Sequence, residues 1–191
     1  MKRILLFLLL AVMSLPAACL AADLEFAVTP KAIDIHALYN GTTLTIDGRA
    51  PQGDQVVVRF TGAPENIALK QKGKVFGLLW MNMNTLHFEN VPKVCLIEST
   101  VPEARLGAAG ASLGLAGLSE KIAIEPQSAD RKLLLPEFLL LKGQEGLYRQ
   151  SAGTVALGEA SGGQQAFHAA MKIPSRLSPG SYTVEVFAVK D

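Results

Sequence analysis

The stretch PGSYTVEVFAV, residues 179–189, decides the fold class. Its first two residues predict a turn, and the following residues alternate with the two-residue period of a β-strand. The even-numbered residues from Tyr182 to Val186 share one face, and the odd-numbered residues from Thr183 to Phe187 share the other. A Pro-Gly-x-Tyr turn leading into such a strand is typical of immunoglobulin-like sandwiches, in which the tyrosine packs at a corner of the fold.

The same alternation recurs upstream in short segments separated by turn residues. Asn40-Gly41 is a strong hairpin signal, because both residues tolerate a positive φ. Lys72-Gly73-Lys74 is predicted to form the turn of a later strand pair. Turns spaced by about 8 to 12 residues are typical of an all-β sandwich. The predicted strands are 32–37, 43–47, 56–60, 66–72, 75–83, 86–92, 94–100, 153–157, 166–174 and 182–189.

Two segments between these strands have helical composition. Residues 103–118 are rich in Ala, Leu and Gly and contain no β-branched residue, which predicts one helix weakened by its glycines. Residues 132–148 predict a second helix, with Pro136 expected near its first turn. The predicted fold is therefore mainly β, an immunoglobulin-like β-sandwich with a two-helix insertion at about 103–148.

The N-terminal residues have the three parts of a cleavable secretory signal. Lys2 and Arg3 precede an apolar run at 4–15, and small residues follow at 17–22. The run is shorter than the roughly 20 residues of a spanning helix. We therefore expect a signal peptide at 1–22 and a single domain at 23–191, placed in the periplasm or on the periplasmic side of the inner membrane. An uncleaved anchor and lipidation of Cys19 remain alternatives.

Charge and cysteine content exclude some classes of protein. The chain has 18 basic and 17 acidic residues without basic clusters, whereas nucleic-acid binding requires many phosphate-directed cations. We therefore expect no nucleic-acid partner. Once Cys19 is removed with the signal, Cys95 has no partner for a disulfide. Its apolar neighbours predict a buried, inert thiol.

Several short motifs, taken in order, resemble the putative transmembrane protein family first noted in alphaproteobacteria. The resemblance implies an N-terminal signal, an extracytoplasmic β-rich region, a C-terminal membrane tether and a neighbouring permease of the sulfite-exporter type. It thus implies an inner-membrane protein such as a transporter as partner, and it implies no catalytic residue and no cofactor. Because the chain lacks the family's C-terminal apolar segment, we expect the natural protein to continue beyond Asp191. The motifs are residues 29–30, 33–35, 40–44, 77–84, 91–92, 98–100, 145–148, 167–174 and 179–182.

The best candidate for chemistry is a soft-metal site at Met81, Met83 and His87. The two methionines are expected to project from one face of a strand next to Trp80, with His87 further along the same face. Thioether and imidazole ligands select Cu(I). The alternative is that both methionines pack in the core.

No other motif predicts a catalytic or cofactor site. His36, His87 and His168 fall in separate predicted strands without zinc-site spacing. Gly110-x-Ser112-x-Gly114 matches a nucleophile elbow in letters, but its surroundings predict helix where an elbow requires a preceding strand. We therefore expect no enzyme but an extracytoplasmic envelope domain that acts by protein–protein contact. A periplasmic ligand- or copper-binding domain is the alternative.

Overall fold

The computed structural model describes residues 24–76 and 78–190, so the predicted signal peptide lies outside the described residues. The strands of the described residues are β1 (Glu25–Thr29), β2 (Thr42–Pro51), β3 (Gln55–Gly62), β4 (Pro64–Val75), β5 (Leu79–Pro92), β6 (Cys95–Ser99), β7 (Ala123–Glu125), β8 (Tyr148–Ala152), β9 (Val155–Ser161), β10 (Gln164–Ile173) and β11 (Tyr182–Val189). The helical elements are a 3-10 turn (Glu103–Arg105), α1 (Gly107–Leu113), α2 (Leu115–Lys121) and α3 (Arg131–Gln144). The chain is thus mainly β, as predicted.

These strands form three sheets in the described part of the chain. The first has the order β1-β2-β10-β9, the second β11-β3-β6-β8, and the third β4-β5-β7. All recorded pairings are antiparallel except that of β6 with β8, which is parallel. The first two sheets face each other, an arrangement consistent with a β-sandwich.

The sandwich core lies between the first two sheets. Leu44 and Ile46 of β2 are 3% and 0% exposed, as their alternation predicts, and they meet Val58 and Phe60 of β3. Tyr182 stacks on Phe60 with ring centroids 5.2 Å apart. Full burial of one such apolar side chain contributes about 1.5 to 3 kcal/mol to folding.

A second core covers the outer face of the second sheet. Val57 of β3 and Cys95 and Ile97 of β6 face it, opposite the helices and the base of the β4–β5 hairpin. The second sheet is therefore buried on both faces. This explains why β3 carries an unbroken Val56-Val57-Val58 run where a half-exposed strand would alternate.

Two local predictions are wrong. Residues 32–37 form no strand, although Ile33 and Ile35 still pack against the sandwich core. The hairpin turn includes Phe76 and Leu78, and Gly73 lies within β4. A Cβ at Gly73 would lie 2.6 Å from Cγ of Met83, so this glycine serves close side-chain approach and not a turn.

The helical insertion also differs in detail. The predicted first helix is split at Gly114, whose backbone is extended, into α1 and α2. The second helix begins where Asp130 accepts hydrogen bonds from the backbone N–H groups of Lys132 and Leu133 at 3.1 and 3.3 Å. Pro136 lies in the second helical turn. The helix ends at Gln144, and Gly146, with a φ of 75°, turns the chain toward β8.

Candidate functional site

The most distinctive surface is the hairpin of β4 and β5, which we call the arm. Its strands are 12 and 14 residues long, longer than the usual five or six. They pair from Pro64 with Pro92 at the base to Val75 with Leu79 near the tip. Beside the arm, helix α3 lines a groove as far out as Gln71. Phe76 lies five residues beyond Gln71. The part of the hairpin beyond Gln71, which we call the outer arm, therefore projects about 16 Å past the groove.

Large apolar side chains of the outer arm are exposed. Isolated exposed apolar residues are common on soluble domains, but a contiguous group of this size marks a binding surface. The exposed fractions are 93% for Phe76, 85% for Leu78, 63% for Leu79, 66% for Trp80, 53% for Met81 and 54% for Met83.

The pairing register divides the arm into two faces. Lys70, Lys72 and Lys74 pair with Thr85, Asn82 and Trp80, so all of these project from one face. The Lys74 ammonium lies 5.2 Å from the centroid of the Trp80 ring. We call the surface of Lys70, Lys72, Lys74 and Trp80 the cationic face.

The opposite face of the arm turns toward α3. Its inner residues Leu86 and Phe88 are buried in the second core, while further out Met81 pairs with Gly73 and Met83 packs over that glycine. Leu79 extends the same face to the end of β5. This face is apolar at its inner and outer ends, with the amide side chains of Gln71 and Asn84 between them.

Helix α3 adds apolar side chains beside that face. Leu133 is 59% exposed and Leu141 is 39% exposed. Two small grooves of about 220 and 200 Å³ run between α3 and the arm, the first lined by Leu133 and the second by Leu141. The outer arm and the helix therefore expose an apolar surface on the same side of the arm, interrupted by Gln71 and Asn84. We call it the apolar corner and define it by Leu79, Met81, Met83, Leu133 and Leu141.

The base of the arm is fixed to the body. Phe88 stacks on Phe138 of α3, and β7 pairs with β5 at His87, Phe88 and Glu89. The backbone N–H of Asn90, at a bulge of β5, donates to Oδ1 of Asn66 at 3.4 Å. The outer arm is thus an extension of a packed structure, which gives its two faces a defined direction.

The predicted copper ligands do not converge. Met81 and Met83 project from the same face, but the bulge between Gln71 and Lys72 reverses the alternation along β5, and His87 falls on the cationic-face side. His87 also lies six residues from Met81, about 20 Å along an extended strand. One ion cannot bind both residues. The expected core packing of the two methionines is also wrong, since nothing in the described residues covers the outer arm.

The other candidate residues lie apart from the arm. His36 is exposed and accepts a hydrogen bond from the backbone N–H of Leu38, while His168 contacts Asp47 at 2.7 Å on the outer face of the first sheet. Ser112 lies within α1. Within residues 24–76 and 78–190, no three His, Cys, Asp or Glu side chains are grouped to hold a metal ion.

The groups with shifted pKa values, which include the half-buried Tyr39, lie away from the outer arm. Burial raises the pKa of the Cys95 thiol to about 12, which confirms the predicted buried thiol. Burial also raises the pKa of Tyr148 and of Glu98. None of the three lines a groove of the arm. The described surface of the outer arm is thus apolar and positively charged.

The arm was not predicted from the sequence, because the turn was expected at Lys72–Lys74. Two signals could have revealed it. The strand pattern continues on both sides of Gly73, and Phe76, Leu78, Leu79 and Trp80 cluster where a turn residue, Gly77, interrupts them. An apolar cluster at a hairpin end has no partner strand to cover it.

Comparison with known proteins gives one family. No curated protein and no solved structure matches the chain significantly. In the described part of the chain, every helix is too short or too polar to cross a bilayer. A family model described as "Putative transmembrane protein (Alph_Pro_TM)" matches residues 23–191, which is nearly all of the chain. The chain therefore belongs to this family, whose name indicates a membrane-associated bacterial protein.

Proposed function

We propose that this chain is a non-enzymatic extracytoplasmic domain of the bacterial envelope that acts by protein–protein contact. Its partner is an inner-membrane protein such as a transporter, and the contact surface is the apolar corner. The single observation that carries the proposal is the exposure of Met81 on the outer arm and of Leu133 on α3, on the same side of the arm. Such a surface is unfavourable in water and is stabilised when a partner covers it.

The composition of the corner suits a protein partner. Methionine side chains adapt to irregular surfaces because they are unbranched and polarizable. Leu133 and Leu141 stand on a helix whose packing on Phe88 limits its movement, so the corner loses little conformational entropy when it binds. A partner helix could place apolar side chains at helical spacing into such a groove.

A role in binding also fits the location of the titratable groups. A catalytic site normally brings groups with shifted pKa values into a cleft. Here Cys95 and Tyr148 are in the second core, and the grooves at the arm are lined mainly by apolar and amide side chains. This distribution supports contact, not catalysis.

The proposal includes an immunoglobulin-like sandwich and export through the signal at residues 1–22. The Tyr182 hydroxyl donates a hydrogen bond to the Ser178 carbonyl oxygen, four residues upstream. This resembles the tyrosine corner of immunoglobulin-like domains. The family's description as a transmembrane protein supports a position beside the membrane.

The test is site-specific photo-crosslinking in cells that express the full-length protein. A photoreactive residue at Met81 should crosslink to an integral inner-membrane protein, and one at Leu157 of β9 should not. Leu157 is 41% exposed and serves as the matched apolar control. A second substitution, Leu133→Ser, should abolish the crosslink from Met81.

Two results would overturn the proposal. The first is a full-length protein that is released with the soluble periplasmic contents and co-purifies with no membrane protein. The second is a crosslink from Met81 that persists unchanged in Leu133→Ser. Both measurements use the folded chain, since Met81, Leu133 and Leu157 are exposed and their replacement leaves both cores intact.

A further inference from the structure

The cationic face and the tip of the arm carry exposed lysines and apolar side chains that do not belong to the apolar corner. Lys70, Lys72 and Lys74 are exposed and stand at every second position of β4. Their Cα atoms are therefore about 6.7 Å apart along one face. Trp80 projects from the same face, with its ring beside the Lys74 ammonium.

The arm itself carries no acidic residue between Asn66 and Phe88. From Asn66 to Phe88 the sequence contains none of the 17 acidic residues of the chain but three of its 18 basic ones. Elsewhere in the described residues, Arg59, Arg149 and Arg176 lie in ion pairs with glutamates, whereas none is recorded for the three lysines of the arm. The arm is thus a positively charged extension of a nearly neutral chain.

The end of the arm is convex and apolar. Phe76 and Leu78 are 93% and 85% exposed and lie beyond the last paired residues of both strands. A convex tip offers no pocket for a protein side chain, whereas it can enter a soft interface. The tip and the lysines together show the order that membrane-surface elements have: apolar residues first, then an aromatic residue with a polar edge, then cations.

We propose that the tip of the arm inserts Phe76 and Leu78 into an anionic lipid bilayer. Trp80 lies at the level of the headgroups, and Lys70, Lys72 and Lys74 contact the lipid phosphates. The long lysine side chains reach the phosphates while their methylene groups cover apolar surface. Charge complementarity with the cationic face selects anionic lipid. Because this surface differs from the apolar corner, the proposal does not rest on the proposed protein contact.

Trp80 provides a direct readout, since it is the only tryptophan of the chain. The full chain is mixed with vesicles of equal parts phosphatidylethanolamine and phosphatidylglycerol, and with vesicles of phosphatidylcholine alone. We expect the Trp80 emission to shift to the blue with the anionic vesicles and to be quenched by lipids brominated in the acyl chain. High salt should weaken the effect because it screens the lysines.

Two sets of substitutions separate the contributions. Lys70→Gln, Lys72→Gln and Lys74→Gln together should lower the partition coefficient into anionic vesicles about 100-fold. Phe76→Ser with Leu78→Ser should lower it at least about tenfold, because two apolar side chains no longer leave water. The charge-matched control replaces exposed lysines elsewhere, by Lys121→Gln, Lys132→Gln and Lys190→Gln. It should retain the wild-type partition coefficient.

The N-terminal apolar residues are the same in every variant, so differences between variants report the arm alone. The proposal is overturned when Trp80 emission stays the same with and without anionic vesicles. It is also overturned when the control triple variant loses as much binding as the arm triple variant. Emission that responds only to native membranes, and not to lipid vesicles, would assign the tip to a protein partner and would likewise overturn it.

Discussion

Phe88 of the arm stacks on Phe138 of helix α3, with ring centroids 4.3 Å apart and ring planes at 16°. Both rings are nearly inaccessible to solvent, at 2% and 3% exposure. The pair joins the inserted helix to the hairpin strand that carries Met81 and Trp80. It therefore links the stability of the second core to the position of the arm.

Replacement of Phe138 should show that link. We expect Phe138→Ala to lower the free energy of unfolding by about 3 to 5 kcal/mol, because a buried ring is replaced by a cavity. Leu140→Ala, on the same helix but 56% exposed, should change it by no more than about 0.5 kcal/mol. Urea unfolding of both variants measures the difference. A Phe138→Ala variant as stable as Leu140→Ala would show that the stack does not hold the helix.

Comparison of Tyr148 with Tyr39 measures how much one buried hydrogen bond contributes to stability. The Tyr148 hydroxyl donates to the Pro92 carbonyl oxygen at 2.7 Å, whereas the buried Tyr39 hydroxyl has no partner in the described part of the chain. Tyr148→Phe leaves a buried carbonyl unpaired and should cost about 1 to 3 kcal/mol. Tyr39→Phe should be neutral or slightly stabilising. Equal unfolding midpoints for the two variants would contradict the assignment of these hydrogen bonds.

Glu98 should make stability depend on pH. Burial raises the pKa of this carboxyl, and the Arg149 guanidinium, 3.8 Å from Oε1, offsets only part of the effect. Since the folded pKa is above the unfolded one, the folded state binds the proton more tightly. The stabilisation is complete below the unfolded pKa of about 4.3 and is lost as the pH rises through the folded pKa.

We therefore expect the stability of the wild type, relative to Glu98→Gln, to fall as the pH rises above the unfolded pKa of about 4.3. Chemical unfolding of both proteins at several pH values measures it. The control is Glu159→Gln, which removes an exposed carboxyl of β9. The stability of this variant should change with pH as that of the wild type does. A relative stability that rises with pH would show that Glu98 is held as a stabilised carboxylate.

The Cys95 thiol should be unreactive in the folded protein. Burial raises its pKa to about 12, so very little thiolate exists at pH 8, and the sulfur is closed to solvent. Iodoacetamide should label Cys95 only after unfolding in guanidinium, as measured by peptide mass spectrometry. Rapid labelling under native conditions would contradict the packing of the second core.

His87 should not contribute to any copper binding by the arm. It lies on the face opposite Met81 and about 20 Å along the strand. His87→Ala should therefore leave the Cu(I) affinity unchanged, whereas Met81→Leu with Met83→Leu removes the only two thioethers of the outer arm. Titration with a competing chelator measures both. A tenfold loss of affinity in His87→Ala would restore the predicted three-ligand site.

Much of the sandwich was predictable because its signals are local. The alternation of Leu44 and Ile46 and that of Tyr182 to Val186 fix which side chains turn inward. By contrast, β8 was missed since Tyr148–Ala152 is a strand only through its parallel pairing with β6, which is more than 40 residues away in sequence. Short segments of this kind take their structure from a distant partner.

The candidate site was predictable only in part. Met81, Met83 and Trp80 were singled out by residue type, but their role as exposed contact residues was not. The sequence by itself determined that alternate residues of the arm share a face, since the period of a strand is fixed by backbone geometry. Only the tertiary structure decided the rest. A bulge moves His87 to the face opposite Met81. The outer arm is exposed to water because no other segment of the described residues packs against it, and such packing depends on parts of the chain that are distant in sequence.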